Sequence, residues 1–191
     1  MKLVPAEVDQ GVKFIRSDKI NNNVIDAIWS NVSETVLSTT ISNSSNLKVS
    51  TIEHLMAAFY LEGVDNVLVE INAPEVPILD GSALVFVKEI LKTGIKLQKT
   101  SLKAVRVLRA VKYGHGSAWA KFEPSTNPKM SFSIEFSDEA IGIQSKTLDM
   151  SNGSFVRELC DSRTFCRYSE VEAMKSKGLA LGGSYENAVV V

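Results

Sequence analysis

Glu53 and His54 stand side by side in the run Ser50-Thr51-Ile52-Glu53-His54-Leu55-Met56-Ala57-Ala58-Phe59. A carboxylate can take a proton from water, and a neutral imidazole is the commonest protein metal ligand. On one rigid element the pair could supply a general base and a metal ligand. On spacing alone a structural explanation is the stronger one: Ser50-x-x-Glu53 has the form of a capping box, which needs no catalysis. Two adjacent residues also fall short of the three protein ligands of a hydrolytic zinc site. The remaining candidates read as structural. His115, in Tyr113-Gly114-His115-Gly116, fits a solvated loop histidine. Asp80-Gly81-Ser82 fits a turn followed by a helix start. Arg163-Thr164 fits an ion pair beside a hydroxyl bonded back to the main chain. Cys160 and Cys166 are too few and too widely spaced for a zinc knuckle or redox pair, and read as free thiols.

The elements that must position these residues can be read from periodicity. Ile52, Leu55, Met56 and Phe59 fall on one helical face, and Ala57, Ala58 and Leu61 make the opposite side apolar as well. Such a helix, starting at Ser50 and ending at Gly63, is expected to be buried on several sides. Strands are predicted before it at 12–16, 24–29 and 35–41, and after it at 67–71. The Pro74 to Ser82 stretch, with two prolines and an Asp-Gly pair, predicts a shaped loop. A second helix is predicted over 83–92, with Leu84, Val87 and Leu91 inward and Gly94 as its cap. Gln98-Lys99-Thr100-Ser101 reads as the boundary between domains 1–98 and 102–191. The second half is predicted to hold strands at 103–111, 118–122 and 130–136, a helix over 155–160, and a helix opened by the capping box Ser169-Glu170-Val171-Glu172 and stopped at Gly178. A strand is predicted over 188–191. Met130, Phe132, Ile134 and Phe136 alternate as on a sheet with one buried face. The fold class expected is α+β, with two small domains of related architecture.

Composition removes several function classes. A net charge of −1 over 191 residues offers no basic field for nucleic acid. The sequence has no apolar run of membrane-spanning length and no signal-peptide core near Met1, so the expected location is the cytoplasm. There is no P-loop, no dinucleotide-binding glycine fingerprint and no nucleophile elbow.

Several ordered blocks carry a more specific message. Val49 to Ala58, Val64-Asp65-Asn66, Pro74 to Ala83, Ser162-Arg163-Thr164-Phe165 and Gly178 to Ala188 together resemble the zinc-dependent deacetylases that remove the N-acetyl group from UDP-3-O-acyl-N-acetylglucosamine, the committed step of lipid A biosynthesis. The resemblance implies two α+β domains whose helices pack between their sheets, with the active site between the domains. It implies Zn2+ as cofactor, His54 as one ligand, Glu53 as general base and Thr164 as donor to the oxyanion. Phe165, Val171, Gly183, Ser184 and Val190 would border the passage for the acyl chain. The implied partner is the UDP-sugar substrate, with no nucleic acid and no obligate protein partner.

The match also has departures. Family members carry a hairpin before the segment that begins here at Lys2. They continue past the position of Val191 into a His-Lys-x-x-x-Asp helix, which supplies two further zinc ligands, and a later histidine that acts as general acid. The chain therefore reads as truncated at both ends. It is expected to represent the deacetylase or, alternatively, a catalytically incomplete relic that retains at most nucleotide-sugar or acyl-chain binding. Cys166-Arg167 stands where the family usually has glycine and an apolar residue.

Overall fold

The computed structural model describes residues 1–176 and 182–191. The predicted helix stop at Gly178 lies outside the described residues. The fold is α+β, and the chain separates into two compact units, 1–98 with 158–191, and 99–157. The reading from sequence divides the chain into 1–98 and 102–191; here 158–191 groups with 1–98.

The first unit opens with β1 (Lys2–Pro5), β2 (Val12–Arg16) and β3 (Val24–Asp26). A second, three-stranded antiparallel sheet follows, made of β4 (Val32–Glu34), β5 (Thr40–Ser42) and β6 (Lys48–Val49). Then come α1 (Glu53–Glu62), β7 (Val67–Ile71) and α2 (Leu84–Thr93). The first sheet has the order β1-β7-β2-β3, with β7 parallel to β2 and antiparallel to β1. Alternation explains its burial: Val67, Val69 and Ile71 are buried while Leu68 and Glu70 are half-buried. Those residues, with Phe14 and Ile25, form the core together with Leu55, Ala58 and Phe59 of α1 and Phe86, Val87 and Ile90 of α2.

Several local expectations change. α1 starts at Glu53 rather than Ser50, with Ile52 at its N-cap and no side-chain cap. The Ser50–Glu53 capping box does not form, because Ser50 is engaged elsewhere: its N–H donates to Pro74 O at 2.9 Å and its Oγ accepts from Thr40 Oγ1. Gly63 ends the helix as expected, in the left-handed conformation. α2 turns Phe86, Val87 and Ile90 inward, and Leu91, predicted inward, is exposed. The predicted strand 24–29 stops at Asp26 and gives way to a 3-10 turn at Trp29–Asn31. Of the strand predicted over 35–41 only Thr40 and Ile41 are strand, at the start of β5; the residues before them form the turn that follows β4.

The second unit contains two hairpins, β8 (Val111–His115) with β9 (Ala118–Phe122) and β10 (Lys129–Glu135) with β11 (Ile143–Asp149), followed by α3 (Ser154–Glu158). Residues 103–110 are irregular; the strand predicted over 103–111 begins only at its last residue. β10 carries the expected alternation, yet Met130 and Phe132 remain 46% and 42% exposed. A two-stranded ribbon with no helix laid on it leaves that face open among the described residues.

The chain then returns to the first unit with β12 (Phe165–Cys166), α4 (Tyr168–Ser176) and β13 (Val189–Val190). β12 and β13 pair in parallel. α4 opens one residue earlier than predicted. Its reach-back comes from Glu170, whose Oε2 accepts from Arg167 N–H at 2.9 Å, and not from Glu172. Among the described residues no helix is long and apolar enough to cross a membrane.

Candidate functional site

A cavity of about 420 Å³ opens in the first unit, at the start of α1. Three segments converge on it. The 36–38 turn and the Thr51–His54 segment form one wall. The Ala73–Ile78 loop forms a second. Thr164–Cys166, part of α4 and the 182–190 segment complete it. The loop is joined to the helix start by an isolated parallel bridge between Ser50 and Glu75, in which Val76 N–H donates to Ser50 O at 3.0 Å.

The Asp-Gly-Ser turn seats the third wall. Ser82 is fully buried; its Oγ donates to the Asp80 carboxylate and accepts from the Leu84 N–H, which makes this segment the turn and helix start its residue types predict. Gly81 O accepts from Thr164 N–H at 2.9 Å, and Thr164 O accepts from Val189 N–H at 3.0 Å. Gly81 has φ +80°, and a Cβ built on it would lie 1.7 Å from Asn187 O. Only glycine permits that approach.

The eight residues that the resemblance assigns to the site all line this cavity: Glu53, His54, Thr164, Phe165, Val171, Gly183, Ser184 and Val190. Glu53 and His54 are half-buried on the first turn of α1. Glu53 Oε2 accepts a hydrogen bond from Thr39 N–H at 3.0 Å, which orients the carboxylate from across the turn. Thr164 is half-buried beside the exposed Phe165. The lining otherwise is largely apolar, with Val36, Leu37, Val76, Ile78, Val171, Met174 and Val190. An elongated hydrocarbon group suits such a wall. Cys166 also lines it, and burial followed by the nearby Glu170 carboxylate pushes its thiol above the ordinary value of 9.0. His115 lies in the second unit, on the last residue of β8 rather than in a turn.

Sequence reasoning did not single out Thr51, Glu75, Met174 or Lys175, which line the same cavity. Glu75 stood inside a quoted block, but nothing in its type marked it. Thr51 owes its place to a left-handed backbone, φ +59°, that a threonine does not advertise.

Among the described residues no three of His, Cys, Asp and Glu come together as a metal-binding group. The donor set at the cavity therefore does not by itself fit a hydrolytic zinc ion, for which His54 would be a single ligand.

An α+β unit thus sets a carboxylate and an imidazole at a helix start beside a largely apolar cavity. The whole chain, residues 1–191, matches the LpxC family, described as UDP-3-O-acyl N-acetylglycosamine deacetylase. The chain belongs to that family. It is 46% identical over its full length to the UDP-3-O-acyl-N-acetylglucosamine deacetylase of Citrifermentans bemidjiense, of which it covers 62%. It is 40% identical to the protein of that name from Syntrophus aciditrophicus, again over its full length and covering 60% of it. The protein of that name from Methylococcus capsulatus is also 40% identical, with 63% covered. The chain thus spans about three-fifths of the length of these curated relatives.

Proposed function

We propose that this chain carries the catalytic base and acyl-binding wall of a cytoplasmic, zinc-dependent deacetylase acting on UDP-3-O-acyl-N-acetylglucosamine in lipid A biosynthesis. The observation that carries the reading is the convergence of Glu53, His54 and Thr164 with the five acyl-passage residues on one cavity. Family membership and the relatives' names support the substrate class.

In this reading Glu53 takes the proton of the attacking water. Its Oε2 is held by Thr39 N–H, so Oε1 is the oxygen assigned to proton transfer. The Thr164 hydroxyl donates to the amide oxygen as negative charge develops there. Thr164 can act as a fixed donor because both its backbone groups are tied, to Gly81 and Val189. The apolar walls receive the acyl chain and exclude water beside the reacting amide. His54 is assigned as one zinc ligand. The described residues supply no companions to it.

Acetate release from the UDP-sugar, measured in the full-length protein, tests the reading. Glu53→Gln keeps size and the Thr39 contact but cannot take a proton, and turnover is expected to fall by about 100-fold or more. Thr164→Val is expected to lower kcat by about tenfold to a hundredfold with little change in KM. Unchanged turnover in Glu53→Gln would remove the base assignment. Zinc is tested separately. With His54 its only matched ligand, the 191-residue polypeptide is expected to retain well under one zinc per chain after dialysis. One tightly held zinc would show that ligands have been overlooked.

A further inference from the structure

Thr51 sits two residues before Glu53 in a conformation that β-branched residues rarely adopt, at φ +59°. It is nonetheless 92% buried by residue, being only 8% exposed, and its Oγ1 donates to Glu75 Oε1 at 2.7 Å. Thr51 and Glu75 both line the cavity that holds Glu53 and His54. The backbone on either side is locked as well: Ser50 N–H donates to Pro74 O, and Val76 N–H donates to Ser50 O. A strained residue persists where its surroundings over-determine it, and such residues concentrate at functional sites. Here the surroundings are a carboxylate with no role in the reading above and a loop whose two prolines restrict its backbone.

We propose that Thr51 and Glu75 are positioning residues for the Glu53–His54 pair. Glu75, acting through the Thr51 hydroxyl, holds the left-handed turn that launches α1 and so sets the direction in which the first helical turn presents its carboxylate and imidazole to the cavity. The catalytic consequence rests on the deacetylase reading; the geometric one does not. α1 has no side-chain cap of its own, so the Thr51–Glu75 hydrogen bond and the Glu53–Thr39 hydrogen bond are the side-chain contacts that define its start.

The test uses the full-length protein and two readouts. One is the ring 1H–15N signals of His54, with those of His115, which lies in the second unit, as an internal reference. The other is acetate release. Thr51→Val removes the donor and keeps the branched shape. It is expected to shift the His54 signals, leave those of His115 in place, and lower kcat by about tenfold to a hundredfold with KM changed less than threefold. Thr51→Ser and Glu75→Gln retain donor and acceptor and are expected to restore both readouts. Should Thr51→Val fail to fold, Thr51→Gly removes the hydroxyl while accepting the backbone conformation, and is expected to shift His54 in the same way. His54 signals that stay put in Thr51→Val or Thr51→Gly overturn the proposal, as does a fall in thermal midpoint with those signals unmoved. If the unsubstituted protein releases no acetate, the deacetylase reading fails while the ring signals still decide the positioning role.

Discussion

Gly81 and Cys166 show how much of this site depends on single atoms. At Gly81 a methyl group would meet the Asn187 carbonyl at 1.7 Å in a backbone conformation that disfavours side chains. Backbone and backbone would both have to move. Gly81→Ala is therefore expected to destabilise the protein by about 1–3 kcal/mol and to loosen the third cavity wall, seen as a lower urea midpoint and faster exchange of the Thr164 amide. At Cys166 the raised thiol means little thiolate near neutrality, and thiolate is the species that reacts. Iodoacetamide is expected to label Cys166 slowly at pH 8 and markedly faster above pH 9, with the fully buried Cys160 unlabelled in the native protein. Mass spectrometry of the two cysteine peptides checks both statements. Glu53 and His54 stand out as candidates by residue type alone. The need for glycine at 81 does not, because it arises from a chain segment more than a hundred positions away.

At the scale of elements, the core pattern was legible wherever periodicity was strong. β2, β7 and β9 occupy the predicted residues because their alternation is bounded by turn-forming residues. β11 escaped prediction: Ile143-Gln144-Ser145-Lys146-Thr147-Leu148-Asp149 is mostly polar, and its register comes from main-chain pairing with β10. The start of α1 was misplaced for a different reason. Ser50 was drawn into the Pro74 loop and Thr40, contacts that local spacing does not reveal. What does hold α1 is its inward face. Phe59 is 1% exposed, and Phe59→Ala is expected to cost about 3–5 kcal/mol in chemical denaturation. β2 contributes a charged anchor to the same unit. The buried Arg16 guanidinium donates through Nε and Nη2 to both oxygens of Asp18 and through Nη1 to Lys48 O. That pairing lowers the Asp18 carboxyl below its ordinary 3.8. A lowered carboxyl binds fewer protons folded than unfolded, so its contribution is complete above 3.8 and fades as pH falls through the lower folded value. Asp18→Asn is expected to reduce the thermal midpoint at pH 6 and to make the midpoint less sensitive to pH below 4.

The whole molecule divides its work unequally. Every residue lining the candidate site belongs to the unit formed by 1–98 and 158–191, while 99–157 forms a unit of its own. The polar run Gln98-Lys99-Thr100-Ser101, read from sequence as the boundary between 1–98 and 102–191, lies where the first of these units leaves off. Gln98 is tied back to the first unit, accepting from Asn66 and donating to Ala6 O. Beyond it, residues 99–110 carry no helix or strand and are exposed apart from the half-buried Val107. Protease sites are cut where the backbone can leave its surroundings and enter an active-site cleft, and a run without ladder or helix meets that condition most easily. Lys99, Lys103, Arg106 and Arg109 lie in this run, whereas Lys13 and Arg16 lie within a paired strand and Lys88 within a helix. Brief trypsin treatment under native conditions is therefore expected to cut first between 99 and 110, giving an N-terminal fragment that ends at Lys99, Lys103, Arg106 or Arg109 and a complementary fragment that begins at the next residue. Cleavage there leaves the strands and helices around the cavity intact, so the ring signals of His54 are expected to survive the first cut. Timed digestion followed by intact-mass measurement reads the order of cleavage. A first cut after Arg16 or Lys88 would mean that the first unit opens more readily than the linker, against the burial of its core.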